Sequence, residues 1–168
     1  MQSQNASPLR VERSRQQVMQ ARAQVRSGAE SVGVDAEFID LLVETFYEAV
    51  RGDDLLGPIF AAKITDWPVH LARMKGFWRS ILHRTAEFSG NPMAKHLAIP
   101  GLESRHFERW LHLFYATLRK LAPEAAKEEA TQLVGERARM IADSLLTGIA
   151  MRRDGIAGAR AGKDLPHA

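Results

Sequence analysis

The sequence contains no cysteine. That absence removes disulfide frameworks, thiolate zinc sites and iron–sulfur clusters together. No apolar run approaches the roughly 18 residues of a membrane span, and the N-terminus lacks the apolar core of a secretory signal. A soluble cytoplasmic protein with no membrane partner is therefore expected. Strand signals are missing as well, since no alternating run of β-branched residues occurs. Gly-rich phosphate loops, GxSxG elbows and HExxH zinc motifs are also absent, which leaves few routes to catalysis.

What is present is 168 residues, enough for one domain with a proper core. The formal net charge is +3, but it sits at the ends. Residues 1–34 hold five Arg and two Glu, and residues 152–168 hold four Lys/Arg and two Asp. The stretch between them is slightly acidic at −2. A nucleic-acid-binding core should carry its own basic stripe, so no nucleic-acid partner is expected. Three segments follow: a polar basic extension over 1–34, disordered or loosely helical from Ser14 to Glu30; a folded unit over 35–152; and a tail over 153–168.

The folded unit reads as all-α. Phe38, Leu41, Leu42, Val43, Phe46, Tyr47 and Val50 form one amphipathic face, broken at Arg51-Gly52-Asp53-Asp54. A second helix opens near Thr65 or Asp66, with Pro68 in its first turn, and carries His70, Met74, Phe77, Trp78 and Ile81 along one side. Residues 86–103 are punctuated by Gly90-Asn91-Pro92 and Pro100-Gly101, so loops surround at most one helical turn there. Phe107, Trp110, Leu111, Phe114, Leu118 and Leu121 mark a third long helix. Pro123 starts the last, which buries Leu133, Met140, Ile141, Leu145 and Ile149 and ends near Arg152.

The six histidines are the places to look for chemistry. Glu103-x-x-His106 supplies one half of a di-iron carboxylate motif, and no second copy exists. His96 lies on a short segment before a loop, and reads either as a ligand or as a capping histidine. His70 reads as a pocket group or a helix-boundary residue, Tyr47 and Trp110 as pocket donors or plain core.

Taken in order, the pieces resemble a family. Phe46-Tyr47, Arg51-Gly-Asp53 and Leu55-Leu-Gly-Pro-Ile-Phe60 resemble the first half of a truncated haemoglobin. Trp67-Pro-Val-His70, Phe77-Trp78, Gly90-Asn-Pro92, His96 and His106-Phe107-Glu-Arg-Trp110-Leu-His-Leu-Phe114 are similar to its group III branch, over about residues 36–151. The resemblance implies a truncated globin-like two-over-two helical sandwich around haem b. It makes His96 the iron ligand and places Tyr47, His70, Met74 and Trp110 in the distal pocket. Phe60, Phe77, Trp78 and Phe107 become haem-packing residues, and Arg73 a propionate partner.

Oxygen, nitric oxide and carbon monoxide are the implied ligands, and a reductase the implied electron donor. The resemblance leaves binding, peroxidase-like turnover and nitric oxide dioxygenase-like turnover all open. A monomer is the default. Two departures stand out: some 34 residues precede the match, and Met74 is apolar where other truncated globins place glutamine. The competing reading is a haem-free helical interaction module that engages an anionic partner through its basic tails.

Overall fold

The structure, a computed structural model, describes residues 8–168. Residues 1–7 of the expected extension lie outside the described residues. Seven α-helices follow one another: α1 Pro8–Ser31, α2 Ala36–Arg51, α3 Gly57–Lys63, α4 Trp67–Leu82, α5 Pro92–Leu97, α6 Ser104–Leu121 and α7 Lys127–Asp154. Among the described residues there is no strand, and no helix is long and apolar enough to cross a membrane. α2 packs on α4 and α6, and α6 packs on α7, which gives the two stacked helix pairs expected from the sequence.

Local chemistry sets the helix boundaries. Asp35 caps α2 by accepting from the Phe38 amide at 2.8 Å, and Asp66 caps α4 by accepting from Val69 at 3.0 Å. Each such cap contributes about 1 kcal/mol. α1 ends on Gly33, whose φ of +80° reverses the chain into α2 and brings it against the Pro123 ring. A side chain at that position would be strained in backbone and blocked in space. The buried His83 at the end of α4 donates from Nε2 to the Val34 carbonyl at 2.7 Å, which ties α4 to the same joint.

The core is carried by Ile39, Leu42, Val43, Phe46 and Val50 of α2, Trp78 of α4, and Leu111, Phe114 and Leu118 of α6. Two sequence expectations fail here. Leu41 is 48% exposed and Met140 is 58% exposed, so neither belongs to its helix's buried face. The buried face of α7 is instead built from Ala130, Val134, Ala138, Ala142, Leu145, Leu146 and Ala150. Small side chains let neighbouring backbone approach closely, and a search for large apolar residues overlooks them.

Among the described residues, both terminal segments have defined structure. α1 is a continuous helix longer than the loose Ser14–Glu30 stretch read from the sequence, and its side chains from Val11 to Gly28 are exposed. The C-terminal stretch, read as a tail, begins with the end of α7 and then folds back along that helix. Arg139 donates to the Lys163 and Leu165 carbonyls at 2.9 and 3.1 Å, and the Tyr115 hydroxyl donates to the Pro166 carbonyl at 2.8 Å. Leu165 is buried beneath this strap.

Candidate functional site

A cavity of about 550 Å³ lies where α2, α3, α4, α5, α6 and α7 converge. All ten side chains singled out in the sequence line it: Tyr47, Phe60, His70, Arg73, Met74, Phe77, Trp78, His96, Phe107 and Trp110. Its volume falls within the usual range for small-molecule sites, and its walls are mainly apolar.

His96 sits on α5, a helix of only six residues, and each end of its placement has a local cause. Asn91 caps the helix by accepting from the Ala94 amide at 3.0 Å, and Pro92 takes the first helical position, where a missing N–H costs nothing. Met93 lies against Gly148 of α7, where no side chain stands in its way. His96 Nδ1 is 2.7 Å from the Pro92 carbonyl. A carbonyl only accepts, so Nδ1 carries the proton and Nε2 keeps a free lone pair. This is the arrangement of a metal-ligating imidazole whose second nitrogen is held by a backbone acceptor.

Also lining the cavity, Tyr47 and His70 meet edge to face with ring centroids 5.0 Å apart. Burial raises the Tyr47 phenol well above its ordinary value, so the hydroxyl stays protonated and remains a donor. Burial lowers the His70 value, and the Arg73 charge lowers it further, so the ring is neutral at pH 7. His70 Nε2 is buried with no hydrogen-bond partner among the described residues. Such an atom costs stability unless a water or a ligand pairs with it.

Trp110 is held by stacking on Phe114, with centroids 5.2 Å apart and planes 11° from parallel. Phe114 also stacks on Trp78 at 5.0 Å, and Phe46 meets Tyr47, Trp110 and Phe114 edge-on. These contacts fix the donors in place, because each ring has neighbours on more than one side.

Several residues at or beside the site were given no role by the sequence reading. Trp67 lies 5.7 Å from His70, edge to face, and the Arg51 guanidinium covers its ring at 4.7 Å. Lys63 and Lys95 join Arg73 in lining the cavity with exposed cationic side chains. Phe88 lines it too, edge-on to Phe77 at 5.0 Å and 5.7 Å from the Arg73 guanidinium. Ile141, Ala142 and Leu145 of α7 complete the wall. Trp67 stands three residues before His70 and Lys95 directly before His96, so their spacing was available; the loop that returns Phe88 carries no such signal.

Asp53, quoted in the sequence only as part of a motif, has a structural task. Its buried carboxylate accepts from the Leu55 and Leu56 amides at 3.1 and 2.9 Å and from Arg109 Nε of α6 at 2.6 Å. Burial alone would raise this carboxyl, but the two amides and the guanidinium outweigh it and hold it below the ordinary range. The result locks the start of α3, and with it Phe60, to α6. His106 has a comparable structural task. Its Nδ1 accepts from the Glu103 amide at 3.0 Å, closing the first turn of α6, so Glu103-x-x-His106 is a cap rather than half of a di-iron site.

A curated relative, the group 3 truncated hemoglobin ctb of Campylobacter jejuni subsp. jejuni serotype O:2, is 37% identical over 113 residues. The alignment covers 65% of this chain and 86% of that relative. The chain belongs to the group III truncated haemoglobins. The crystal structure of the group III truncated hemoglobin from Campylobacter jejuni superposes with a TM-score of 0.58 at 37% identity, over 66% of this chain and 87% of that one. No family model matches the chain. The architecture is thus a globin fold, and membership of a haemoglobin family implies haem binding.

The cavity fits that group by its own chemistry. It offers the His96 lone pair, a mainly apolar lining, a polar atom of His70 without a partner among the described residues, and cationic side chains suited to carboxylates. Among the described residues no three His, Asp or Glu side chains converge to hold a bare metal ion.

Proposed function

We propose that this truncated haemoglobin holds haem b in the 550 Å³ cavity and binds oxygen, nitric oxide or carbon monoxide there. The observation that carries the reading is His96, with Nδ1 committed to the Pro92 carbonyl and Nε2 left free. When bound, the haem supplies an iron position for diatomic ligands and one-electron redox chemistry. The globin unit of this proposal spans residues 35–152, with the N- and C-terminal segments as additions to it.

The chain's own residues then divide the work. His96 presents a basic nitrogen made more electron-rich by its hydrogen bond to Pro92. Phe60, Phe77 and Phe107 supply flat apolar contact, and Trp78 backs that wall from the core. Arg73, Lys63 and Lys95 are positioned to neutralise carboxylates at the edge. Tyr47 keeps its proton and donates to a ligand that carries partial negative charge; Trp110 Nε1–H adds a second donor. His70 is neutral and offers one N–H and one lone pair at the same wall, while Met74 leaves the next turn apolar. A pocket with two or three donors suits slow ligand release, which fits a sensor or a redox catalyst supplied by a reductase better than a carrier.

The deciding experiment is the absorption spectrum of protein expressed with haem supplementation, beside His96→Ala. A strong Soret band that collapses or shifts in the variant is expected. Absence of a Soret band in the wild-type chain would overturn the reading and favour an interaction module.

A further inference from the structure

The globin core leaves one long element unexplained. α1 covers 24 residues, and from Val11 to Gly28 every side chain is exposed; among α1 side chains beyond that stretch, Ala29 is buried at its C-terminal end. Helices in proteins owe most of their stability to a packed face, and an isolated one is marginal in water. α1 is polar on average, but one line of apolar side chains runs along it without a surface to cover it. Val11, Val18 and Val25 recur every seven residues, which places them on one line of the helix, and they are 40%, 49% and 42% exposed. The positions between them on the same side are Ser14, Ala21 and Gly28, small enough for another helix to come close.

Charge selects the occupant. Arg15 and Arg22 flank the valine line on one side, and Gln17 and Gln24 on the other. No acid stands on either flank, because Glu12 and Glu30 lie on the outer part of the helix. Among the described residues Arg26 is spent on Glu30 at 2.7 Å, whereas no ion pair holds Arg15 or Arg22. A second copy would therefore set Arg against Gln or Arg in either orientation, with no opposite charge to meet it. A lipid surface is a poor match too, since the stripe offers valines without the Trp, Phe or Leu that insert into an interface.

We propose that α1 is a docking helix for an acidic amphipathic helix of a partner protein, with Val11, Val18 and Val25 as the seam and Arg15 and Arg22 as the charged flank. This inference is independent of what the cavity binds.

The test uses the full-length chain and two synthetic 21-residue peptides with the same Ile and Leu heptad seam. One carries Glu at both flanking positions and the other carries Lys. Fluorescence anisotropy at low and high salt reads their binding. The Glu peptide is expected to bind one-to-one, with affinity falling as salt rises. Arg15→Glu with Arg22→Glu should weaken it by about tenfold and transfer preference to the Lys peptide. Val18→Asp should abolish both while leaving the melting temperature of the core unchanged, because Val18 is 49% exposed and is not among the side chains packed against the core. Circular dichroism should show helix gained on binding.

Equal binding of the two peptides, or no binding of either, overturns the proposal. So does sedimentation of the free chain as a dimer that Val18→Asp returns to monomer, which would make the stripe a self-interface. Co-sedimentation with phosphatidylglycerol vesicles in place of peptide binding overturns it in favour of a lipid surface.

Discussion

Tyr47 and His70 show how burial turns ordinary side chains into specific ones. In water a phenol and an imidazole each exchange protons and partners freely. Inside the cavity wall the phenol is held protonated and the imidazole neutral, because neither charged form is solvated there. A hydrogen bond from such a donor to a partly charged ligand contributes roughly 1.5–3 kcal/mol. Tyr47→Phe should therefore speed oxygen release by about tenfold or more in stopped-flow measurements, with little change in fold because the ring contacts to Phe46 and Phe60 survive. Unchanged release would move the stabilising role to Trp110.

The histidines also sort themselves at this scale. His83 is bonded to Val34, His106 closes α6, and His112 and His167 are exposed. Of the three that line the cavity, His106 spends Nδ1 as an acceptor and so carries its proton on Nε2, whereas His96 keeps a lone pair and His70 Nε2 has no partner among the described residues. Sequence context and the resemblance already set His70 and His96 apart, and the hydrogen-bond partners give the physical reason.

Single elements are placed by a few polar groups. α3 has no side-chain cap of its own and starts where Asp53 gathers two amides and Arg109. Asp53→Asn removes the charge from this junction and should cost about 2 kcal/mol, measured by urea unfolding. The sign of its pH dependence follows from the lowered carboxyl. Stability contributed by Asp53 is fully present above the ordinary carboxyl range of about 4 and is lost as pH falls through the folded-state value. Wild type should thus lose stability in acid more steeply than Asp53→Asn, and parallel curves would show that the carboxylate is not the group responsible.

α5 has the same logic in smaller form, with Asn91, Pro92 and Met93 each fixing one aspect of where His96 lies. The turn signals of Gly90-Asn91-Pro92 were legible in sequence. The seat of Met93 against Gly148 was not, because those residues lie 55 positions apart in the chain.

Across the whole molecule, the C-terminal strap and α7 act as one unit. One side of α7 lines the cavity with Ile141, Ala142 and Leu145, and Gly148 seats the His96 helix. Elsewhere on the helix Arg139 and Thr147 hold the strap, through the Lys163 and Leu165 carbonyls and the Gly162 amide at 3.3 Å. Truncation after Asp154 exposes the surface under Leu165 and leaves Arg139 and Tyr115 without these partners. The melting temperature should fall by roughly 2–4 °C per kcal/mol lost at this length. Transfer of haem to a competing apoprotein should accelerate in step. A truncated chain that melts with wild type would show the strap to be an appendage only.

The helical character of α2, α4, α6 and α7 and most of their buried faces were determined by the sequence itself, and the resemblance to a family named ten residues that line the cavity. Periodicity and capping are local properties, set by residues within a turn or two of one another. The remainder needed the tertiary structure. Leu41 and Met140 have the right side chains in the wrong direction, since burial depends on what packs opposite a helix and not on the helix alone. The proton on His96 Nδ1, the neutrality of His70 and the strap over α7 likewise arise from contacts between groups. Some join neighbours and others distant parts of the chain, but only a folded backbone sets their distances and excludes the water that would blur them.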